Sequence, residues 1–203
     1  MSQSGKSGVA GSGVNVPVKM IRLNLKDIFQ CAMPAGYVMR AYRPGDEVVW
    51  VEINGAADQY NRITLETFRH EFKGDVVGLK RRCFFLREPG GRDVGTVTSW
   101  YNREYHGRDI GRIHWVAILP EFQGRGLARP MMTVAMNRLA KFHDSVYLST
   151  NTIRLIAIKV YLDFGFVPEI ESDKDLASWE LVRKGLRHPL FDDPSCWHRY
   201  NAQ

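Results

Sequence analysis

The segment Val116-Ala117-Ile118-Leu119-Pro120-Glu121-Phe122-Gln123-Gly124-Arg125-Gly126-Leu127-Ala128 carries the clearest chemistry in this chain. An apolar run ends at a proline, passes through two glycines and enters a helical pattern. Glycine lets the backbone approach a ligand closely and adopt conformations closed to other residues. The first N–H groups of a helix have no acceptor inside it, and the helix dipole favours an anion there. Strand, glycine-rich turn and helix N-terminus in that order form a phosphate socket built from backbone alone. Arg125 and Arg129 add positive charge at its rim. The same spacing also suits a plain strand-to-helix turn with both arginines solvated, and both readings stay open at this level.

Other candidates are weaker. Ser4-Gly5-Lys6-Ser7 imitates the end of a P-loop, but that motif needs a glycine five residues before Gly5, after a strand, and too little chain precedes it. Cys31, Cys83 and Cys196 include no CxxC pair and the six histidines show no ligand spacing, so a metal site of close-spaced ligands is not expected.

The elements that must position the socket are legible from periodicity. Tyr37 to Tyr42 alternates like a strand, Arg43-Pro44-Gly45-Asp46 is a turn, and a helix is expected from Glu47 to about Ala57. A second helix is expected from Thr64 to about Lys73, with Thr64 as N-cap and Thr67 in the first turn. Strand-like runs follow at Arg82–Arg87, Val94–Tyr101 and Arg112–Leu119. Their short connections argue for antiparallel hairpins, with Asn102 to Gly111 as a long polar tip. Leu127 to Phe142 has the spacing of one buried helix face. A strand at Ser145–Ser149, a helix at Arg154–Phe164 closed by Gly165, and a strand at Phe166–Ile170 come next. A helical segment near Leu176–Gly185 and a tail with Leu190, Phe191, Trp197 and Tyr200 complete the chain. The order implies an α/β (α+β) fold with a mixed, mostly antiparallel sheet and helices on both faces. Residues 1–18, rich in Gly and Ser, read as a flexible arm. Residues 19–203 read as a single domain, its tail from about 172 matching no motif.

The chain has 203 residues, 44% hydrophobic and 25% charged, which is the profile of a globular protein rather than a disordered one. No apolar run approaches the roughly 20 residues of a membrane-spanning helix. The N-terminus lacks the apolar stretch of a secretory signal, and the sparse cysteines fit a reducing cytoplasm. The net charge of +6 leans towards anionic partners, but the basic residues are dispersed. Lys80-Arg81-Arg82 is the single run of three and reads as a solvated strand end. No basic run is interleaved with aromatics, so nucleic acid is not the expected partner.

The socket segment resembles the central motif of the GNAT superfamily of N-acetyltransferases, Gln/Arg-x-x-Gly-x-Gly/Ala, here Gln123, Gly126 and Ala128. The preceding Val-Ala-Ile-Leu-Pro resembles that family's fourth strand. Ala157-Ile158-x-x-Tyr161-x-x-x-Gly165-Phe166 resembles its late helix-to-strand element, and Met39 to Asp46 its first strand and helix entry. The resemblance covers about residues 37 to 170.

It implies acetyl transfer from acetyl-CoA to an amine in a ternary complex, with no metal. The backbone of Val116, Ala117 and Ile118 would pair with the pantetheine arm. The amides of Gln123, Gly124, Arg125, Gly126, Leu127, Ala128 and Arg129 would hold the pyrophosphate. The fourth and fifth strands would splay apart. Tyr161 matches the tyrosine that protonates the departing thiolate. The family often has an asparagine where this chain has Arg154, so Asn151 or Arg154 takes that contact. Pro130 falls early in the helix, whose start is placed near Gly126. His114 alternates with Val116 and Ile118, which would put all three on one face and make it the candidate base. Glu52 and Glu121 are the alternatives. Trp50, Tyr60, Phe68 and Phe72 lie in the helices that would wall the acceptor site, and Asp58, Gln59 and Tyr60 in a connection beside it. The expected partner is a small-molecule or peptide amine. A homodimer and a non-catalytic acyl-CoA-binding sensor or adaptor on the same fold are the open alternatives.

Overall fold

The computed structural model describes residues 15–193, 195 and 197–200. Residues 1–14 of the expected arm, with the P-loop look-alike, and Cys196 lie outside the described residues. Pro17 and Val18, placed in the arm by composition, instead open strand β1 (Pro17–Arg22). The strand at Tyr37–Tyr42 is therefore the second, β2 (Val38–Ala41). Helices α1 (Glu47–Ala57), α2 (Leu65–Phe72) and α3 (Val76–Arg82) follow. Then come β3 (Cys83–Arg87), β4 (Asp93–Tyr105), β5 (Arg108–Ile118) and α4 (Ala128–Leu139). The chain continues through β6 (Val146–Asn151), α5 (Leu155–Asp163), β7 (Val167–Ile170), α6 (Asp173–Gly185) and β8 (His198–Arg199). This is the expected mixed α/β fold with mostly antiparallel strands. No described helix is long and apolar enough to cross a membrane.

Contacts divide the chain into Arg22–Leu148 and a second unit formed by the segments on either side of it. In the larger unit β2, β3, β4 and β5 are antiparallel neighbours in chain order. The parallel ladder of β5 with β6 is registered at Gly111–Val146 and Arg112–Tyr147, the entry end of β5. In the smaller unit β1 runs antiparallel to β7, and β8 parallel to β7.

Local chemistry explains most boundaries. Thr64 and Thr67 form a reciprocal capping box, each side chain 3.2 Å from the other's backbone N–H, which starts α2 as expected. The sheet has helices on both faces: Asn54 of α1 donates to Thr96 of β4 at 3.1 Å, while a Cβ on Gly95 of β4 would meet Met131 of α4.

Three expectations are corrected. Lys80-Arg81-Arg82 is the last turn of α3, not a strand start. Its Val-Val-Gly opening hides the helix, but Asp75 caps it by accepting from Gly78 N–H at 2.7 Å, and three cations at its C-terminus suit the dipole. Asn102–Gly111 is mostly strand, since β4 and β5 run on to a two-residue turn. His106 (φ 49°) and Gly107 (φ 71°) supply the paired positive φ that such hairpins require. Helix α4 starts at Ala128 rather than Gly126, which puts Pro130 in the first turn, where a missing N–H leaves no bond unmade.

Trp50, Phe68 and Phe72 form the aromatic core of the larger unit, with ring centroids 4.8 to 5.7 Å apart. Tyr60, by contrast, is exposed. In the smaller unit Trp179, Phe191 and Trp197 pack together, and Trp197 Nε1 donates to Leu190 O at 3.3 Å. The aromatic tail is thus core of its own unit.

Candidate active site

The decisive local feature is a bulge in β5. Thr98 pairs with His114 and Thr96 with Ala117, so two residues, Trp115 and Val116, stand opposite Val97 alone. Trp115 adopts φ 50°, unusual for a bulky side chain, and three contacts hold it there. Its carbonyl accepts from the Thr96 hydroxyl at 3.2 Å, its indole N–H donates to Glu71 at 3.4 Å, and its ring meets Trp50 edge-on at 4.8 Å.

The bulge corrects the alternation argument. Past it the parity of β5 shifts by one, so His114 shares a face with Ala117, and Val116 and Ile118 do not join it. His114 faces α2, with only 8% of its side chain exposed, and its Nε2 lies 2.8 Å from Glu71 Oε2. Periodicity did not reveal Glu71, because its partners lie more than forty positions away on β5. The indirect signal was a carboxylate beside Phe72 on a helix whose inner face is aromatic.

The hydrogen bond from His114 holds the Glu71 carboxyl down to about 2, against the opposing effect of burial. Burial pushes His114 down to about 4, although Glu71 works against that shift. At neutral pH the pair is therefore a carboxylate accepting an N–H from an uncharged imidazole. The lone pair is then on Nδ1, the nitrogen able to take a proton.

Both groups bind protons less readily folded than unfolded, so acid destabilises the fold. The His114 contribution is intact above about pH 6.5 and is lost as pH falls towards about 4. The Glu71 contribution is intact above about 4.5 and is lost on the way to about 2. The expected cost from His114 is about 1–3 kcal/mol by pH 4. His114→Gln keeps a donor to Glu71 and removes this titration. Melting temperatures measured from pH 7 to 4 should fall less steeply in that variant, and parallel curves would show that His114 does not carry the effect.

The other expected bases are differently placed. Glu52 and Glu121 sit on the surface, both bonded to Arg92, at 3.2 and 3.0 Å. Backbone bonding and Arg92 hold Glu121 ionised more firmly than usual. Asp58 accepts from the N–H groups of Tyr60 and Asn61, so that connection is a local turn.

The socket segment leaves β5 through a short 3-10 turn at Pro120–Phe122. Gln123 Nε2 donates back to Ile118 O at 2.9 Å, and Arg125 Nη2 to Glu121 O at 2.7 Å, so both side chains brace the loop. Gly124 (φ 72°) and Gly126 (φ 75°) hold conformations that favour glycine, and a Cβ on either would meet open space. Leu127 occupies the N-cap of α4 with a side chain that can accept nothing, and Ala128 and Arg129 open the helix. Most helices are capped there by a polar side chain. This one presents its first N–H groups beside an open glycine loop, as a cradle for an anion does. These donors fit a diphosphate such as that of acetyl-CoA.

In the smaller unit Arg154 precedes α5 and its N–H bonds to Asn151 O. Tyr161 lies one face along that helix, 8% exposed, its ring against Phe166. Burial raises its pKa to about 12, with the Arg154 charge opposing, so the phenol stays protonated at neutral pH.

Residues 47–166 match the family described as Acetyltransferase (GNAT) family. A mycothiol acetyltransferase from Streptomyces bingchenggensis is 31% identical over 147 residues, covering 69% of this chain and 46% of that protein. Another, from Streptomyces griseus, is 27% identical over 149 residues with the same coverages. The chain spans about half the length of the curated relatives it matches. A solved GCN5-related N-acetyltransferase from Sphaerobacter thermophilus aligns with a TM-score of 0.60 at 21% identity, over 76% of this chain and 50% of that one. That likeness is one of fold.

Proposed function

Because the chain belongs to the GNAT acetyltransferase family, we propose that it transfers the acetyl group of acetyl-CoA directly to the primary amine of a small molecule or peptide. The observation that carries this reading is the uncapped, glycine-lined start of α4 immediately after the bulged strand. Gln123 N–H closes the turn on Pro120 O at 3.2 Å, so the backbone N–H groups from Gly124 to Arg129 would take the diphosphate, and the edge of Val116–Ile118, beyond the ladder of β5 with β6, would pair with the amide-bearing arm as an added strand does.

In the reaction the amine nitrogen attacks the thioester carbonyl carbon, the C–S bond breaks, the nitrogen loses a proton and the sulfur leaves as thiolate. Glu71 is suited to attract a cationic amine; His114 is the proposed base, but held at about 4 it is a weaker one than an ordinary imidazole, so its favoured contribution is a hydrogen bond to the amine as the proton leaves. Backbone N–H at the bulge near Val116 is the proposed donor to the carbonyl oxygen as negative charge develops on it. Tyr161 is proposed to donate to the departing thiolate. A phenol held near 12 is a weaker acid than an ordinary thiol, at about 8.5, so its favoured contribution is a hydrogen bond to sulfur rather than complete transfer. Asn151 and Arg154 are the proposed contacts to the rest of the nucleotide. The name shared by the relatives makes mycothiol-type amines the first acceptors to test.

Calorimetric titration with acetyl-CoA, beside dephospho-CoA and ATP, tests the reading. Micromolar binding selective for acetyl-CoA, followed by thiol release with an amine, is the expected result. Binding without thiol release across an amine panel would favour the sensor alternative, and no binding would overturn the proposal.

A further inference from the structure

The larger unit holds a recess of about 410 Å³ bounded by α3, β4, β5 and the residues just after α4. It has no part in the proposed reaction. Four arginines converge on it: Arg81 and Arg82 from α3, Arg103 from β4 and Arg138 from α4. Two aromatic rings order three of them. Arg82 and Arg103 lie over Tyr101 at 4.7 and 5.2 Å, and Arg138 and Arg82 over Phe142 at 4.6 and 5.3 Å. Stacking fixes a guanidinium plane and leaves its N–H edges available. Two of these edges are used on backbone, Arg82 to Ser99 O at 3.2 Å and Arg138 to Arg81 O at 2.9 Å.

Among the described residues none of the four forms an ion pair. Two aspartates line the recess, and each already has a partner in its lining. Asp75 caps α3 through Gly78 N–H, and Asp109 faces His143 Nδ1 at 3.7 Å. His143 also lines the recess with 5% of its side chain exposed, and its Nε2 has no hydrogen-bond partner. Burial lowers the pKa of Arg82 from its ordinary value and the charge of Arg138 adds to that, while Tyr101, Asp109 and Asp75 act against it.

We propose that this recess binds a small phosphorylated ligand no larger than a mononucleotide. Guanidinium forks match phosphate oxygens in pairs, and an anion there would relieve the crowding of like charges. The volume lies in the range of sites that enclose such molecules. The site is distinct from the loop socket: the socket is at the start of α4 and the recess at its end, about 18 Å apart for a helix of this length. It does not depend on the acetyl-transfer reading.

Calorimetric titration of the full chain with inorganic pyrophosphate is the test. It is run in the unsubstituted protein and in Gly126→Glu, which closes the loop socket. The expected result is one site retained in Gly126→Glu and weakened about tenfold or more by adding Arg81→Gln and Arg103→Gln. Both arginines are exposed, so an unchanged melting temperature is expected to accompany the loss. In the otherwise unsubstituted chain the same two substitutions should remove one site and spare the other. Equal binding with and without them would overturn the proposal. So would tighter binding of a short oligonucleotide than of pyrophosphate through these arginines, which would make the recess part of a nucleic-acid face.

Discussion

Tyr161→Phe should lower acetyl-transfer turnover about a hundredfold while leaving acetyl-CoA affinity unchanged, the size of loss typical of a positioned acid. The substitution is unusually clean. The side chain is nine-tenths buried and its ring packs on Phe166, so phenylalanine keeps the packing. No protein group among the described residues hydrogen-bonds its hydroxyl, so removal leaves no stranded partner. Single-turnover thiol release beside calorimetry separates the outcomes. Equal loss of turnover and affinity would show that Tyr161 is structural, and full turnover would remove it from the mechanism.

Gly126→Glu should weaken acetyl-CoA binding about a thousandfold. A carboxylate about 4 Å from a diphosphate costs on the order of 4 kcal/mol at a protein surface. The backbone there, at φ 75°, adds strain for any side chain. Gly126→Ala separates the two effects. It brings the same strain without the charge, and its methyl would meet open space, so it should lose far less affinity. Affinities by calorimetry, with melting temperatures to confirm folding, test the pair. Equal weakening by Ala and Glu would mean that backbone geometry alone matters. Unchanged affinity in both would take the loop out of the binding site.

Much of the fold is legible in the sequence. Its periodicities located α1, α2, α4, α5 and the core of the β3–β5 meander, because each buries a stripe or face that recurs at the helical or strand period. Its glycine spacing located the loop before α4, because positive φ at Gly124 and Gly126 leaves a mark on residue type. It could not show α3, whose Val-Val-Gly start has poor helical propensity and which stands on the Asp75 cap. Nor could it extend β4 and β5 through Asn102–Gly111, where polar residues form an outlying hairpin.

Tertiary structure alone decided the surroundings of His114. A single extra residue at Trp115–Val116 reverses which face every later residue of β5 occupies, and no residue type announces it. The bulge put Ala117, not Val116 and Ile118, on the face of His114, and packing set His114 against Glu71, a partner more than forty residues earlier. The charge state of that pair follows from burial and one hydrogen bond, and the arginine recess from α3, β4 and α4 meeting in space. Period and residue type are local properties of a chain. Register, burial and charge neighbourhood exist only once distant segments have packed.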